Sequence, residues 1–122
     1  MILADTSIWI DHFRSVDKEM RKQLDHGNIA VHPFVIAELA LGSLPKRSDT
    51  LALLDLLPKA RVAELDEVRF AIEARRLYNL GIGLIDAHLI ASVFMDLSTR
   101  LWTRDKRLRQ VAEVLGIHAG LS

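Results

Sequence analysis

Short apolar segments alternate with segments of helical periodicity along this chain of 122 residues. Strands are predicted at residues 2–4, 29–31, 62–65 and 101–103, because these runs are apolar and too short for helices. Helices are predicted from about residue 8 and at residues 16–26, 33–41, 49–57, 66–80, 85–97 and 106–115. This alternation is typical of an α/β domain with a mainly parallel sheet. The length fits a single domain over residues 1–122.

Four acidic residues stand where the sequence otherwise predicts burial. Asp5 and Asp105 follow predicted strands, whereas Glu38 and Asp86 lie within apolar helical segments. An ionised carboxylate in an apolar setting is costly unless a cation or good donors meet it. Ligands of parallel sheets gather at the carboxyl ends of the strands, so we expect the four side chains to converge there. Converging carboxylates bind hard divalent cations such as Mg²⁺ or Mn²⁺. The four acids are therefore candidate metal ligands and catalytic residues.

Each acid also has a purely structural explanation. Asp5 is well placed to cap the helix that follows it, and Asp86 and Asp105 suit the first turn of a helix. For Glu38 the alternative is a buried ion pair with an arginine. One shared site explains the four residues more simply than four separate causes do, and we prefer it.

The charge balance gives no strong indication of a partner. Sixteen basic and sixteen acidic residues cancel, and hydrophobic residues make up 50% of the chain, as in an ordinary soluble domain. Nucleic-acid binders are more often basic. Residues 100–109 nevertheless contain five basic side chains and one acid: Arg100, Arg104, Asp105, Lys106, Arg107 and Arg109. Neutral total charge is therefore compatible with an anionic polymer as substrate.

Cysteine usage and hydropathy indicate the compartment. The chain has no cysteine, which excludes disulfides and a thiolate nucleophile and agrees with a reducing cytoplasm. No segment approaches the ~18 consecutive apolar residues that a membrane span needs. We therefore expect a soluble, cytoplasmic protein.

Four sequence motifs occur in the same order in one known family. They cover residues 1–11 (MILADTSIWID), 33–39 (PFVIAEL), 85–91 (IDAHLIA) and 102–108 (WTRDKRL). Together they resemble the PIN-domain ribonucleases, particularly the VapC-type toxins of prokaryotic toxin–antitoxin pairs. The opening Asp-Thr-Ser-x-Trp is fairly specific by itself, whereas the other three motifs are specific only as a set.

The resemblance implies a PIN-like three-layer α/β/α sandwich, a homodimer, and Mg²⁺- or Mn²⁺-dependent endonucleolytic cleavage of RNA. It also implies a small VapB-type antitoxin. We expect a basic side chain of that partner to enter the acidic pocket, and an apolar helix to lie between helices 8–13 and 33–41. In one respect the chain departs from the family. Many relatives carry a second acid shortly after the position of Asp105, where this sequence has Arg107 and Leu108.

The expected reaction is hydrolysis of a phosphodiester bond. A carboxylate-bound divalent ion lowers the pKa of bound water and neutralises phosphate charge. We expect Asp5, Glu38 and Asp86 either to bind the ion directly or to lie next to the groups that bind it. Asp105 is expected to bind the ion or to position water. Attack by water predicts products with 5′-phosphate and 3′-hydroxyl ends.

The other polar and aromatic candidates have structural explanations. Thr6, Ser7 and Thr103 are expected to support the acids, and Trp9 and Trp102 to pack in the core rather than stack on bases. The histidines show no paired ligand spacing, so surface positions or satisfied hydrogen bonds are expected for all five: His12, His26, His32, His88 and His118. Contacts with RNA phosphates and simple solvation explain four basic residues equally well: Arg104, Lys106, Arg107 and Arg109.

Two other classes of function were weighed. A receiver-like phosphoacceptor domain also places acids at strand ends, but it requires adjacent acids near the amino terminus, and Asp5 stands alone. A non-catalytic PIN-fold binding subunit is the second alternative, against which the four retained acids argue. Metal-dependent cleavage of RNA distinguishes both alternatives from the preferred function.

Overall fold

Three short parallel strands lie at the centre of the fold in the computed structural model, which describes all residues 1–122. They are β1 (Ile2–Ala4), β2 (Ile29–Ala30) and β3 (Arg100–Trp102), in the order β2-β1-β3. Leu3 pairs with Ala30 on one side and with Leu101 on the other, and all three residues are buried. Parallel strands need crossover connections, which here are helical. The result is the predicted α/β sandwich.

Seven helices complete the domain: α1 (Thr6–Arg14), α2 (Lys18–Asp25), α3 (Pro33–Leu41), α4 (Arg47–Leu56), α5 (Leu65–Ala74), α6 (Leu84–Met95) and α7 (Lys106–Val114). None of them is both long enough and apolar enough to cross a membrane. Their start and end signals are largely local. Pro33 occupies the first turn of α3, and Gly42 follows its last residue, as the sequence predicts.

The two apolar helices differ in how completely they are buried. Residues 87–93 of α6 are all buried, as expected from their composition. The same expectation is wrong for α3, where only Val35 and Leu39 are buried and Leu41 is 89% exposed. Helix α3 therefore covers the sheet with one side and leaves apolar surface on the other.

The predicted strand at residues 62–65 is wrong. Leu65 already begins α5, because the side chain of Glu67 accepts a 2.9 Å hydrogen bond from the backbone N–H of Glu64 and so starts the helix at that point. The free edge of β2 pairs instead at an earlier residue, through a single bridge between Val31 and Lys59.

The predicted helix 66–80 is too long. Helix α5 ends at Ala74, and Arg76 and Asn79 adopt left-handed backbone conformations with φ of 54° and 62°. Such residues cannot continue a right-handed helix. The apolar spacing that suggested a longer helix arises because Leu77 is buried from a turn, not from a helix.

Candidate active site

The four predicted acids lie around the carboxyl edge of the sheet. Asp5 follows β1 directly, and Asp105 lies three residues after β3. Glu38 projects from α3, the helix that follows β2, and Asp86 lies in the first turn of α6. The pKa of Asp86 is raised first by burial and then by the negative charges of Asp105, Asp5 and Glu38. Asp86 therefore lies within electrostatic range of the other three carboxylates, and we call these four acids the acidic pocket.

Asp5 is the most buried of the four acids, with 5% of its surface exposed. Its Oδ1 accepts hydrogen bonds from the backbone and hydroxyl of Ser7 and from the backbone of Ile8, and so it caps α1. Its Oδ2 accepts a 2.7 Å bond from the hydroxyl of Thr103. Burial raises the pKa of Asp5 in spite of these bonds. Capping alone does not account for this residue, because its second oxygen accepts the hydrogen bond from Thr103, which follows β3.

Glu38 is half-buried and takes part in no ion pair, so the alternative of a buried arginine partner is wrong. Its Oε1 accepts a 2.8 Å hydrogen bond from the hydroxyl of Thr6, the first residue of α1. The other carboxylate oxygen has no hydrogen-bond partner in the protein. Glu38 is therefore oriented by a neutral donor, and one of its oxygens is open to a ligand.

Asp86 and Asp105 are held by the helices that they begin. Asp86 Oδ2 accepts a 3.1 Å bond from the backbone of Gly83, and Asp105 Oδ1 accepts a 3.0 Å bond from the backbone of Leu108. Their structural explanation as first-turn and capping residues is therefore correct. The second carboxylate oxygen of each residue has no hydrogen bond. Each side chain can therefore cap its helix and bind a ligand at the same time.

The donor chemistry of these acids suits a hard divalent cation, which prefers carboxylate oxygens. Three of the acids, Glu38, Asp86 and Asp105, each offer one oxygen that is free of hydrogen bonds. However, no group of three or more His, Cys, Asp or Glu side chains lies close enough together to hold an ion directly. Like charges favour separated side chains. Metal ligation by the four acids therefore stays a prediction.

Two hydroxyls connect Asp5 to the segment that follows β3. Thr103, which is fully buried, donates to Asp5 and accepts a 3.0 Å bond from the backbone N–H of Asp105. Ser7 donates to Asp5 and accepts a 2.9 Å bond from the backbone of Arg104. Both residues therefore fasten the start of α1 to the end of β3, which is the supporting role that the sequence suggested.

The guanidinium of Arg104 is bound by other residues of the protein. It forms ion pairs with Asp11 at 3.0 Å and with Asp17 at 2.6 Å, and its Nε donates to the backbone oxygen of Ser122. These bonds raise the pKa of Arg104 although burial opposes them. The residue ties β3 to α1, to the start of α2 and to the carboxyl terminus, and it is not free to bind RNA.

The other three basic candidates divide in the same way. Arg109 pairs with Glu113 at 2.7 Å on the surface of α7. Lys106 and Arg107 are exposed and take part in no ion pair. Of the four basic residues that were candidates for RNA contacts, these two keep unpaired charges.

Two histidines contradict the expectation that all five are surface residues or satisfied. His32 is completely buried; its Nδ1 accepts a 2.9 Å bond from the backbone of Phe34 and caps α3, but its Nε2 has no partner. Burial, followed by the charge of His88, lowers the pKa of His32 to about 4. His88 is also buried, with Nδ1 unpaired, and burial lowers its pKa. The position of His32 between a strand and Pro33 was the sequence signal for this cap.

The two tryptophans are core residues, as predicted. Trp9 is 3% exposed and Trp102 is completely buried, so neither presents a ring on which a base could stack.

An open groove of about 350 Å³ lies beside Glu38, between α1 and the end of α3. Its wall combines Thr6 and Glu38 with apolar side chains, of which Phe13 and Leu39 are examples. The groove lies where the sequence analysis expected a partner helix, between residues 8–13 and 33–41.

The sequence matches the PIN domain family over residues 2–114. Ribonuclease VapC32 of Mycobacterium tuberculosis strain H37Rv is 44% identical over 117 residues, which cover 96% of this chain and 94% of that protein. Ribonuclease VapC32 of the CDC 1551 strain shows the same identity and coverage. These matches exclude the receiver-like alternative. The chain therefore belongs to the PIN-domain family and is a VapC-type member of it.

Proposed function

We propose that this chain is the toxin of a toxin–antitoxin pair and an endoribonuclease that hydrolyses RNA with a metal-activated water. The proposal draws on a relative named as a ribonuclease that is 44% identical over nearly the whole chain. The observation that carries it is that the four acids lie around one edge of the sheet without an ion-pair partner. The negative charges of Asp105, Asp5 and Glu38 accordingly add to burial in raising the pKa of Asp86.

Such a pocket repels a phosphodiester unless a divalent cation lies between them. A bound Mg²⁺ or Mn²⁺ ion supplies Lewis acidity, since it lowers the pKa of water and offsets phosphate charge. Glu38, Asp86 and Asp105 would approach the ion with their free oxygens, because its positive charge offsets the repulsion that keeps these side chains apart. Asp5, fixed by Ser7 and Thr103, would supply a rigid negative charge at the base of the pocket.

The test is cleavage of pooled RNA by the purified protein with Mg²⁺, with Mn²⁺ and with a chelator. We expect metal-dependent cleavage, 5′-phosphate product ends, and loss of activity in Asp5→Asn and Asp86→Asn. Asp66→Asn is the matched control, because Asp66 is an exposed acid on α5. Undiminished cleavage by both site variants would contradict the assignment of these residues. Absence of cleavage by the parent protein would favour a non-catalytic binding subunit.

The same proposal includes a small VapB-type antitoxin. The groove between α1 and α3 is lined by apolar side chains together with Glu38 and Arg14, so it suits an apolar helix that also presents a basic side chain to Glu38. An Arg or Lys placed there pairs with the carboxylates and competes with the metal. We expect a small protein encoded beside this one to inhibit cleavage, and its inhibition to weaken when that basic residue becomes Ala. A neighbouring protein that neither binds nor inhibits would refute the toxin assignment.

We also propose that the single domain, residues 1–122, forms a homodimer. The exposed apolar side chains on α3 and α4 support this, since Leu41, Leu53 and Leu56 are 89%, 65% and 81% exposed. Apolar surface of this kind is commonly covered by a second subunit. Sedimentation at micromolar concentration should show a dimer, and a purely monomeric species would refute this part of the proposal.

A further inference from the structure

A second groove, of about 350 Å³, lies between the end of α5 and α7. Three arginines line it, Arg75, Arg76 and Arg107, and no acidic residue does. None of the three takes part in an ion pair, because the ion pairs of the protein belong to Arg104 and Arg109. We call these three arginines the cationic strip. The strip therefore carries three positive charges without an acidic partner on a protein whose formal net charge is zero, and the Arg75 guanidinium also lies 3.4 Å from the centroid of the Phe94 ring.

The floor of this groove is apolar. Leu77 and Leu80 contribute from the turn after α5, and Val111 and Leu115 contribute from α7 and its end. A ligand that suits this lining carries negative charge and also has apolar or aromatic surface. A nucleic-acid strand has this combination, because its phosphates are charged and its bases are not.

One residue of the strip, Arg107, is connected to the acidic pocket through one short segment of chain. Arg107 lies directly on Gly81: a Cβ at position 81 would be 2.6 Å from its Nη1 and 2.7 Å from its Cδ. Gly81 has φ of 76° and is two residues from Gly83, whose backbone holds the carboxylate of Asp86. Two residues span at most about 7 Å of backbone. The guanidinium of Arg107 is thus held beside the acidic pocket.

We propose that the cationic strip binds the phosphates of the RNA strand next to the bond that is cleaved, with Arg107 as the contact nearest the pocket. This inference rests on the proposed ribonuclease function and adds the path of the substrate. It also gives the Gly81 backbone a function. A Cβ at position 81 would displace Arg107 from this segment, and glycine is also the residue that is least strained at this φ.

The first test measures binding of a fluorescently labelled single-stranded RNA of mixed sequence in the Asp5→Asn background, where the probe is expected to stay intact. Arg107→Ala should weaken binding about tenfold, because one charge-assisted contact is lost. It should also reduce the slope of log affinity against log salt by roughly one. Arg107→Lys should retain part of the affinity. Arg21→Ala is the matched control, since Arg21 is an exposed arginine on α2 without an ion pair.

The second test asks whether Gly81 is what holds Arg107 in place. Gly81→Ala should weaken RNA binding when Arg107 is present and cause no further loss in Arg107→Ala, once melting curves show that both variants are folded. Equal losses in both backgrounds would overturn the positioning by Gly81. RNA affinity of Arg107→Ala equal to that of Arg21→Ala would overturn the strip itself, as would a defect confined to binding of the antitoxin. Cleavage by the parent protein, measured separately, decides the proposed function independently of these results.

Discussion

The buried His32 makes the stability of this protein depend on pH. Its pKa is about 4 in the folded chain and near 6.5 when exposed. Between these values the unfolded chain binds a proton that the native state does not, so the free energy of unfolding falls as the pH falls. The stabilisation is fully present above about pH 6.5 and is lost towards pH 4. The whole difference amounts to about 3 kcal/mol, of which about 2 kcal/mol is lost between pH 7.5 and pH 5.

The perturbation that isolates this contribution is His32→Asn. An asparagine oxygen can accept the bond from the backbone of Phe34 and keep the cap of α3, but the side chain does not titrate in this range. Urea unfolding at about pH 7.5 and pH 5 should show a loss for the parent protein that is about 2 kcal/mol larger than the loss for His32→Asn. Comparing the two losses removes any pH-independent cost of the substitution.

Other buried groups also titrate, but they are common to both proteins. His88 has a lowered pKa and acts in the same direction, whereas Asp5 and Asp86 have raised pKa values and stabilise the native state as the pH falls. His26→Asn is the matched control, because His26 is exposed at the end of α2. An equal dependence on pH in the parent and His32→Asn would refute the argument from burial.

Three shorter predictions concern the acidic pocket and its supports. Asp5→Asn should abolish RNA cleavage while its circular dichroism stays native, because Asn keeps the cap but removes the charge; active enzyme would exclude Asp5. Thr6→Val should leave the fold intact and reduce kcat by about tenfold, since Glu38 loses its only hydrogen bond from the protein; rescue by Thr6→Ser is the check. Arg104→Ala should lower the free energy of unfolding by about 2 kcal/mol, because Asp17 loses a partly buried partner; an unchanged urea midpoint would contradict this.

The local features of this protein could be predicted from sequence because they depend on neighbouring residues. The strand before Asp5, the helix that begins at Pro33 and the helix that begins after Asp105 all follow from apolar periodicity and capping residues. The positions of the acids relative to these elements follow as well, since residues that come after parallel strands share one edge of the sheet.

Several features that the sequence did not predict depend on residues that are distant in sequence, whereas the end of α5 at Ala74 depends on the local backbone of Arg76 and Asn79. Periodicity could not tell that residues 62–65 stay outside the sheet, because the edge of β2 is already paired with Lys59. Nor could it tell that Arg104 forms an ion pair with Asp11, which is 93 positions away. Sequence spacing alone gave His32 no special role, yet closure of the fold buries it and leaves one nitrogen unpaired.

The sequence by itself therefore determined which residues can carry the proposed chemistry, since it places four carboxylates around the carboxyl edge of a parallel sheet. Only the tertiary structure decided which cations remain free to meet a polyanion. Arg104 and Arg109 are neutralised by acids, whereas Arg107 lies unpaired on Gly81. The physical reason is that the charge a cation can offer to a ligand depends on the acids that folding places beside it. For Arg109 that acid is four residues away on the same helix, but for Arg104 the two acids are 93 and 87 positions away.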